Sequence, residues 1–314
     1  MTAGPANPFV FLVGCPRSGT TLLKRMVDAH PAIAVTPELQ WIPRLYRKRV
    51  GMGPDDRVSG ETVAALTAYR RFPRLGIPAS TVDEIVERGA GTRYAELVRA
   101  LFDLYGEAQG KPLVGEKTPG YVGELPLLHR LFPAARFVHI VRDGRDVCLS
   151  SLGWSRTYKN AGKLAGYDQD PIAITALWWK RWVGLGVEDG SELGSSLYHE
   201  LRYESLVADP ATECRSLCDF LGVPYDPAML AYHQTRARRE WDTGNRASLP
   251  PTPGLRDWRR QMAPADVQRF EAAAGDLLAA LGYERAFAEV PPQARDGVER
   301  LRSGIRLPRL PRRW

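Results

Sequence analysis

Residues Gly14 to Thr21 read GCPRSGTT. Two glycines at that spacing, set after a short apolar run and before a helical pattern, make a loop that can hold phosphate. Its backbone N–H groups and the start of the following helix point inward at an anion. Ser18, Thr20 and Thr21 add hydroxyl donors, and Gly19 permits close backbone approach. The residue after Gly19 is Thr20, where a nucleoside triphosphate kinase would carry lysine for its β/γ-phosphates. Arg17 supplies a cation inside the loop instead. Such a loop suits a bridging phosphate whose leaving charge must be neutralised. Two further charged residues follow short apolar runs: Glu38 after Ile33–Thr36, and Lys117 after Leu113–Glu116. A carboxylate held within hydrogen-bond reach can take a hydroxyl proton. A cation at the same edge can stabilise a departing phosphate oxygen.

These groups need a frame that brings strand ends together. Phe9–Gly14, FVFLVG, shows no alternation and suits a strand buried on both faces of a parallel sheet. Thr20–Ala29 has helical spacing and stops at His30-Pro31. Ile33–Thr36, Leu113–Glu116, Arg136–Val141 and Ser196–Tyr203 read as further strands. Helices are expected over Val122–Phe132, Asp146–Leu152, Ile172–Val187, Leu206–Leu221 and Pro264–Leu281, with Gly222 and Gly282 as stops. Residues 153–170 and 242–256 read as loops. The expected fold is α/β, a P-loop-type three-layer sandwich with a central, mostly parallel sheet. One domain is expected over residues 9–290, with a helical insertion at about 45–110. Residues 1–8 are expected to be flexible, and the arginine-rich segment 291–314 to be disordered. Trp178, Trp179 and Trp182 are assigned to the core.

Two motifs in this chain resemble those of the 3′-phosphoadenylyl sulfate (PAPS)-dependent sulfotransferase family. PRSGTTLL at Pro16–Leu23 is similar to that family's 5′-phosphosulfate loop, and RDGRDVCLS at Arg142–Ser150 to its 3′-phosphate motif. The motif pattern looks most like the tyrosylprotein sulfotransferase branch and its bacterial relatives. HPAIAVTPELQWIPR at His30–Arg44, EKTPGY at Glu116–Tyr121 and YESLVADP at Tyr203–Pro210 carry that likeness. The resemblance implies sulfuryl transfer from PAPS to an acceptor hydroxyl by in-line displacement. It implies Glu38 as general base, and Arg17 and Lys117 as the cations at the bridging oxygen. Arg17, Ser18, Gly19, Thr20, Thr21, Arg142, Ser150 and Tyr203 would hold the cofactor, in two separate anion cradles. Arg44 and Ser248 are the acceptor-side candidates, Arg44 either orienting Glu38 or gripping an acidic acceptor. Arg256-Asp257-Trp258 departs from the family, with an acid where a base is common.

Composition bounds the partners. Net charge is +7, which favours an anion. The scattered cysteines Cys15, Cys148, Cys214 and Cys218 suit reduced thiols of a cytoplasmic protein better than a disulfide framework. No stretch reaches the ~20 apolar residues of a membrane span. No metal is expected, since side chains supply the cations. The acceptor can be a small molecule, a sugar, a lipid or a peptide tyrosine, and nucleic acid is not expected. Two other readings remain: a P-loop kinase-like enzyme, which would prefer ATP–Mg²⁺, and a non-catalytic anion-binding module.

Overall fold

Five short strands run in one direction: β1 (Val10–Gly14), β2 (Ile33–Thr36), β3 (Leu113–Lys117), β4 (Arg136–Val141) and β5 (Tyr198–Arg202). Their order across the sheet is β2-β3-β1-β4-β5, and every neighbouring pair is parallel. The computed structural model describes residues 8–89, 91–155, 166–234 and 249–304. β1 lies at the centre, and its side chains are divided between two cores. Phe9, Phe11 and Val13 pack on one side with the helices of residues 42–131. Val10 and Leu12 pack on the other with Leu23, Met26, Val27, Leu206 and Leu217. That division is why its sequence lacks alternation.

A third core lies beyond the C-terminal end of β4. There Val141, Val147 and Cys148 meet the helices Pro171–Leu193 and Pro264–Ala280. Trp179 is fully buried, and Trp178 and Trp182 pack edge to face with centroids 6.4 Å apart. Among the described residues, no helix is long and apolar enough to cross a membrane.

Most expected elements occur, with four differences. The stretch expected as one helix over Val122–Phe132 is a 3-10 turn, Pro119–Glu124, followed by Leu125–Leu131. Pro126 sits in the first turn of that helix and has no N–H to continue a ladder from upstream. The helix expected over Leu206–Leu221 is two, Tyr203–Ala208 and Pro210–Leu221. Asp209 caps the second by accepting from Thr212 N, and Pro210 opens it. Tyr203 starts a helix rather than ending a strand. Finally, residues 292–304 of the expected disordered tail form the helix Pro292–Gly304. Val298 and Leu301, three apart on one face, pack on the third core. The arginines around them obscure that spacing in the composition. Residues 305–314 and 1–7 lie outside the described residues.

Placing a charge on the buried face of that helix should release it. Val298→Asp is expected to lower stability by about 2 kcal/mol and to speed amide exchange within 292–304. Unchanged exchange there would show that the contact does not hold the helix.

Candidate active site

The C-terminal ends of all five strands deliver the chemistry. The chain leaves β1 at Gly14, turns at Cys15–Ser18 with Ser18 N–H bonded to Cys15 O (3.1 Å), and enters the helix Thr20–Asp28. Arg17 and Gly19 both have left-handed backbones, φ 76° and 93°. Glycine meets that demand freely and arginine does so at a cost. Gly19 also has a steric reason. An added Cβ would fall 2.4 Å from the Tyr203 ring, so the glycine admits a packed tyrosine. No side chain caps the helix start, and its first turn holds no acid. The Ser18 hydroxyl is buried with no partner.

Arg142 follows β4 and is 6% exposed. Its backbone carbonyl accepts from the Trp179 indole (3.0 Å), so the tryptophan stripe places it. The guanidinium lies over the Tyr203 ring at 4.2 Å and pairs with Asp146 at 3.4 Å, while its Nε is buried without a partner. Asp146 also accepts from Trp258 N–H (3.0 Å), and burial pushes its carboxyl up to about 6 against the pull of Arg142. Asp257 caps the short helix that follows by accepting from Arg259 N. The acid in Arg256-Asp257-Trp258 thus has a structural task.

The two motifs touch. Arg17 Nε donates to Ser150 Oγ (3.1 Å), and Arg142 Nη1 donates to Arg17 O (3.4 Å). The two expected cradles thus adjoin on one continuous surface. The helix Gly144–Ser155 brings Ser150 back beside the loop after β1. Arg145, not singled out in the sequence, is wholly buried. It donates to Asp143 (2.7 Å), Glu271 (2.8 Å) and Glu284 O (2.8 Å), with its guanidinium 3.6 Å from the Trp258 ring centre.

Opposite this surface stands Glu38. Its carboxylate receives Lys117 Nζ at 3.2 Å, Arg71 Nη1 at 2.8 Å and the Gln40 side chain. Burial alone would raise the Glu38 carboxyl. Lys117 and Arg71 outweigh it and hold the group below the usual carboxylate range. Of the two expectations for Arg44, the structure gives no bond to Glu38: the side chain is exposed, donates to Tyr69 OH (3.4 Å) and lines the same cleft. Arg71 is the arginine that holds the base candidate. It sits before a 3-10 turn in the helical insertion and carries no periodic signal. Ser248 lies outside the described residues.

Glu38, Lys117, Arg17, Thr20, Thr21, Arg142, Ser150 and Tyr203 all line one cleft of about 1210 Å³. Seven of its described lining residues are Arg or Lys and two are Glu, so the cleft concentrates positive charge. His139 is buried against Tyr198 OH (2.6 Å), and burial lowers it to about 3. His30 bonds Pro224 O and Ala32 N. Neither lines the cleft.

A central parallel sheet, an uncapped helix start and two arginines at its edge define an α/β, P-loop-like protein built for anionic substrates. Residues 8–227 match the sulfotransferase family, and the chain belongs to it. Curated relatives include protein-tyrosine sulfotransferase A of Caenorhabditis elegans, 25% identical over 228 residues, covering 73% of this chain and 53% of that protein. Protein-tyrosine sulfotransferase 1 of Homo sapiens is 28% identical over 285 residues, covering 88% and 70%. The chain therefore spans about half the length of the first relative and 70% of the second. Among solved structures, the sulfotransferase domain of the Synechococcus PCC 7002 olefin synthase superposes with a TM-score of 0.62 at 24% identity, covering 90% and 98%. Mouse sulfotransferase SULT7A1, complexed with PAP, gives 0.50 at 14%, covering 95% and 89%. These two likenesses show the fold. The kinase-like and non-catalytic readings are not favoured.

One buried carboxyl near the site gives a pH signature. Glu116 is fully buried, and burial raises it from 4.5 to about 7. Between those values the folded protein binds more protons than the unfolded chain, so stability falls as pH rises through that window. Glu116→Gln removes the cost of ionising there. It should be more stable than the parent at pH 8, by up to about 3 kcal/mol, and should lose that advantage below pH 4.5. Parallel stability–pH curves would refute this.

Proposed function

We propose that this cleft moves the sulfuryl group of PAPS to an acceptor hydroxyl by in-line displacement, with Glu38 taking the hydroxyl proton. The observation that carries this reading is the Glu38 carboxylate, bracketed by Lys117 and Arg71 on the same cleft as the anion loop. PAPS supplies an activated sulfuryl group joined to a phosphate leaving group, and a second phosphate on its ribose.

The chain's own residues fit that donor. The unpartnered Ser18 hydroxyl, the uncapped start of the helix at Thr20, and Thr21 would hold the phosphate next to the sulfuryl group. Arg142, with a buried Nε still lacking a partner, and Ser150 would hold the ribose phosphate. Tyr203 packs between Gly19 and Arg142 and sets their spacing. Arg17 and Lys117 would neutralise the charge on the departing oxygen.

Proton transfer follows from the pairing. Glu38 is ionised at neutral pH and able to accept, but Lys117 and Arg71 weaken it as a base. Lys117 cannot serve a departing oxyanion and Glu38 equally. As its ammonium turns toward the new anion, Glu38 loses part of its counter-charge and binds a proton more tightly. Base strength then rises as the reaction proceeds.

Names of the relatives support a phenolic hydroxyl as acceptor. Tyrosine, with a pKa near ~10, gives up its proton far more readily than an alcohol. Sugars, lipids and small molecules remain as other classes of hydroxyl. Arg44, Arg47 and Arg71 line the acceptor side. The four cysteines are free and buried, which supports a reducing, cytoplasmic setting.

Incubating pools of tyrosine peptides, sugars and lipids with the protein and PAPS should give products heavier by one SO₃ group. No such product from any pool would sink the reading. Glu38→Gln should slow turnover by about 100-fold or more with nucleotide affinity kept, measured by single-turnover kinetics and calorimetry. Arg142→Ala should remove the preference for adenosine 3′,5′-bisphosphate over AMP in calorimetry, and a retained preference would place the ribose phosphate elsewhere.

A further inference from the structure

Glu116 is a carboxyl where the fold would ordinarily place an apolar side chain. It stands in β3 between Thr36 of β2 and Phe11 of β1, with no exposure to solvent. A polar group so placed is costly unless its bonds do something. One of its oxygens, Oε1, accepts two. Leu39 N–H donates at 3.1 Å, and the Thr118 hydroxyl donates at 2.5 Å. Leu39 follows Glu38, and Thr118 follows Lys117. A single buried atom therefore ties the neighbour of the base to the neighbour of the cation.

The segment carrying Glu38 needs such a tie. After β2 the chain leaves the sheet, and Gln40 takes a left-handed backbone, φ 66°. Trp41 then buries fully, and Ile42 N–H bonds Tyr121 OH (3.1 Å). The peptide after Glu38 is held on both sides: its N–H by Glu116, and its carbonyl by Arg71 (3.1 Å) and Arg74 (3.4 Å) from the helical insertion. The second oxygen, Oε2, is buried and lacks a partner. The charged and titratable groups acting on Glu116 are Glu38, Lys117 and Tyr121.

We propose that Glu116 is a positioning residue: through Leu39 and Thr118 it sets the 3.2 Å approach of Lys117 to Glu38. It touches neither substrate. The inference rests on Glu38 being the base, and it extends that reading to a residue outside the cleft lining. Removing the tie should loosen the pair, and small misplacements of reacting groups cost heavily in rate.

The test is a set of variants assayed with PAPS and an acceptor that the parent protein sulfates, each checked for folding by circular dichroism. Glu116→Ala loses the acceptor and should lower kcat by roughly 10- to 100-fold while calorimetric affinity for adenosine 3′,5′-bisphosphate stays as in the parent. Glu116→Gln keeps an oxygen for both donors and should recover most of kcat. Thr118→Val removes one bond, is a milder change should Glu116→Ala fail to fold, and should give an intermediate kcat. In a Glu38→Gln background, Glu116→Ala should add no further loss, because both act at one step. Full additivity in that background, or a parental kcat for folded Glu116→Ala or Thr118→Val, overturns the positioning role while leaving Glu38 as base. A parental rate for Glu38→Gln alone overturns the base assignment, and with it any action through Glu38.

Discussion

A sheet whose strands all run one way brings the C-terminus of every strand to the same edge. The strand-end groups of the site collect there, namely the loop after β1, Glu38 past β2, Lys117 ending β3, Arg142 past β4 and Tyr203 past β5, and Arg71 joins them from the helical insertion. The sheet is buried on both faces, so its interior tolerates little but apolar side chains. Cations brought together at one edge repel one another, and the structure meets that cost with few acids. Glu38 serves Lys117 and Arg71 at once, and Asp146 serves Arg142. The remaining positive charge is available to an anionic substrate.

Behind this edge lies a buried scaffold of polar bonds. Trp179 fixes the Arg142 backbone, Asp146 receives the Trp258 amide, and Glu204 receives the Asp143 amide at 2.9 Å. Arg145 is the most embedded of these. Its charge is distributed between Asp143 and Glu271 with no solvent contact. Such pairs contribute modest net stability when intact, but cost about 3–5 kcal/mol when one partner is lost. Their value here is geometric, since they hold the turn from which Arg142 projects.

Much of this was legible in the residues. The β1 run is apolar without alternation because Phe9, Phe11 and Val13 face one core while Val10 and Leu12 face another. The glycine loop, Glu38 and Lys117 each follow a readable strand, so their shared edge could be inferred. Arg71 could not: it reaches Glu38 across 33 residues from an insertion with no repeating pattern. Arg145 was hidden within a motif whose polar letters suggest surface, although it has no exposure. Gly19 reads as room for a ligand's approach; it lines the cleft, and the Tyr203 ring gives it a second, steric reason that the sequence did not show. The helix Pro292–Gly304 was masked by its arginines, which dilute the two apolar residues that dock it.

The sulfotransferase match ends at residue 227, yet the turn that carries Arg142 is braced from further along the chain. Glu271 and the carbonyl of Glu284 take the Arg145 guanidinium, and Glu271 also receives the amides of Ala286 and Phe287. The segment that contains the recognisable signature is therefore not a self-sufficient module. Cut at residue 227, it would keep every hallmark letter but lose Glu271 as a counter-ion of Arg145 and the Trp258 and Phe270 side of the third core that covers it. Wherever such chains are trimmed or grafted, the workable seam lies downstream of Phe287.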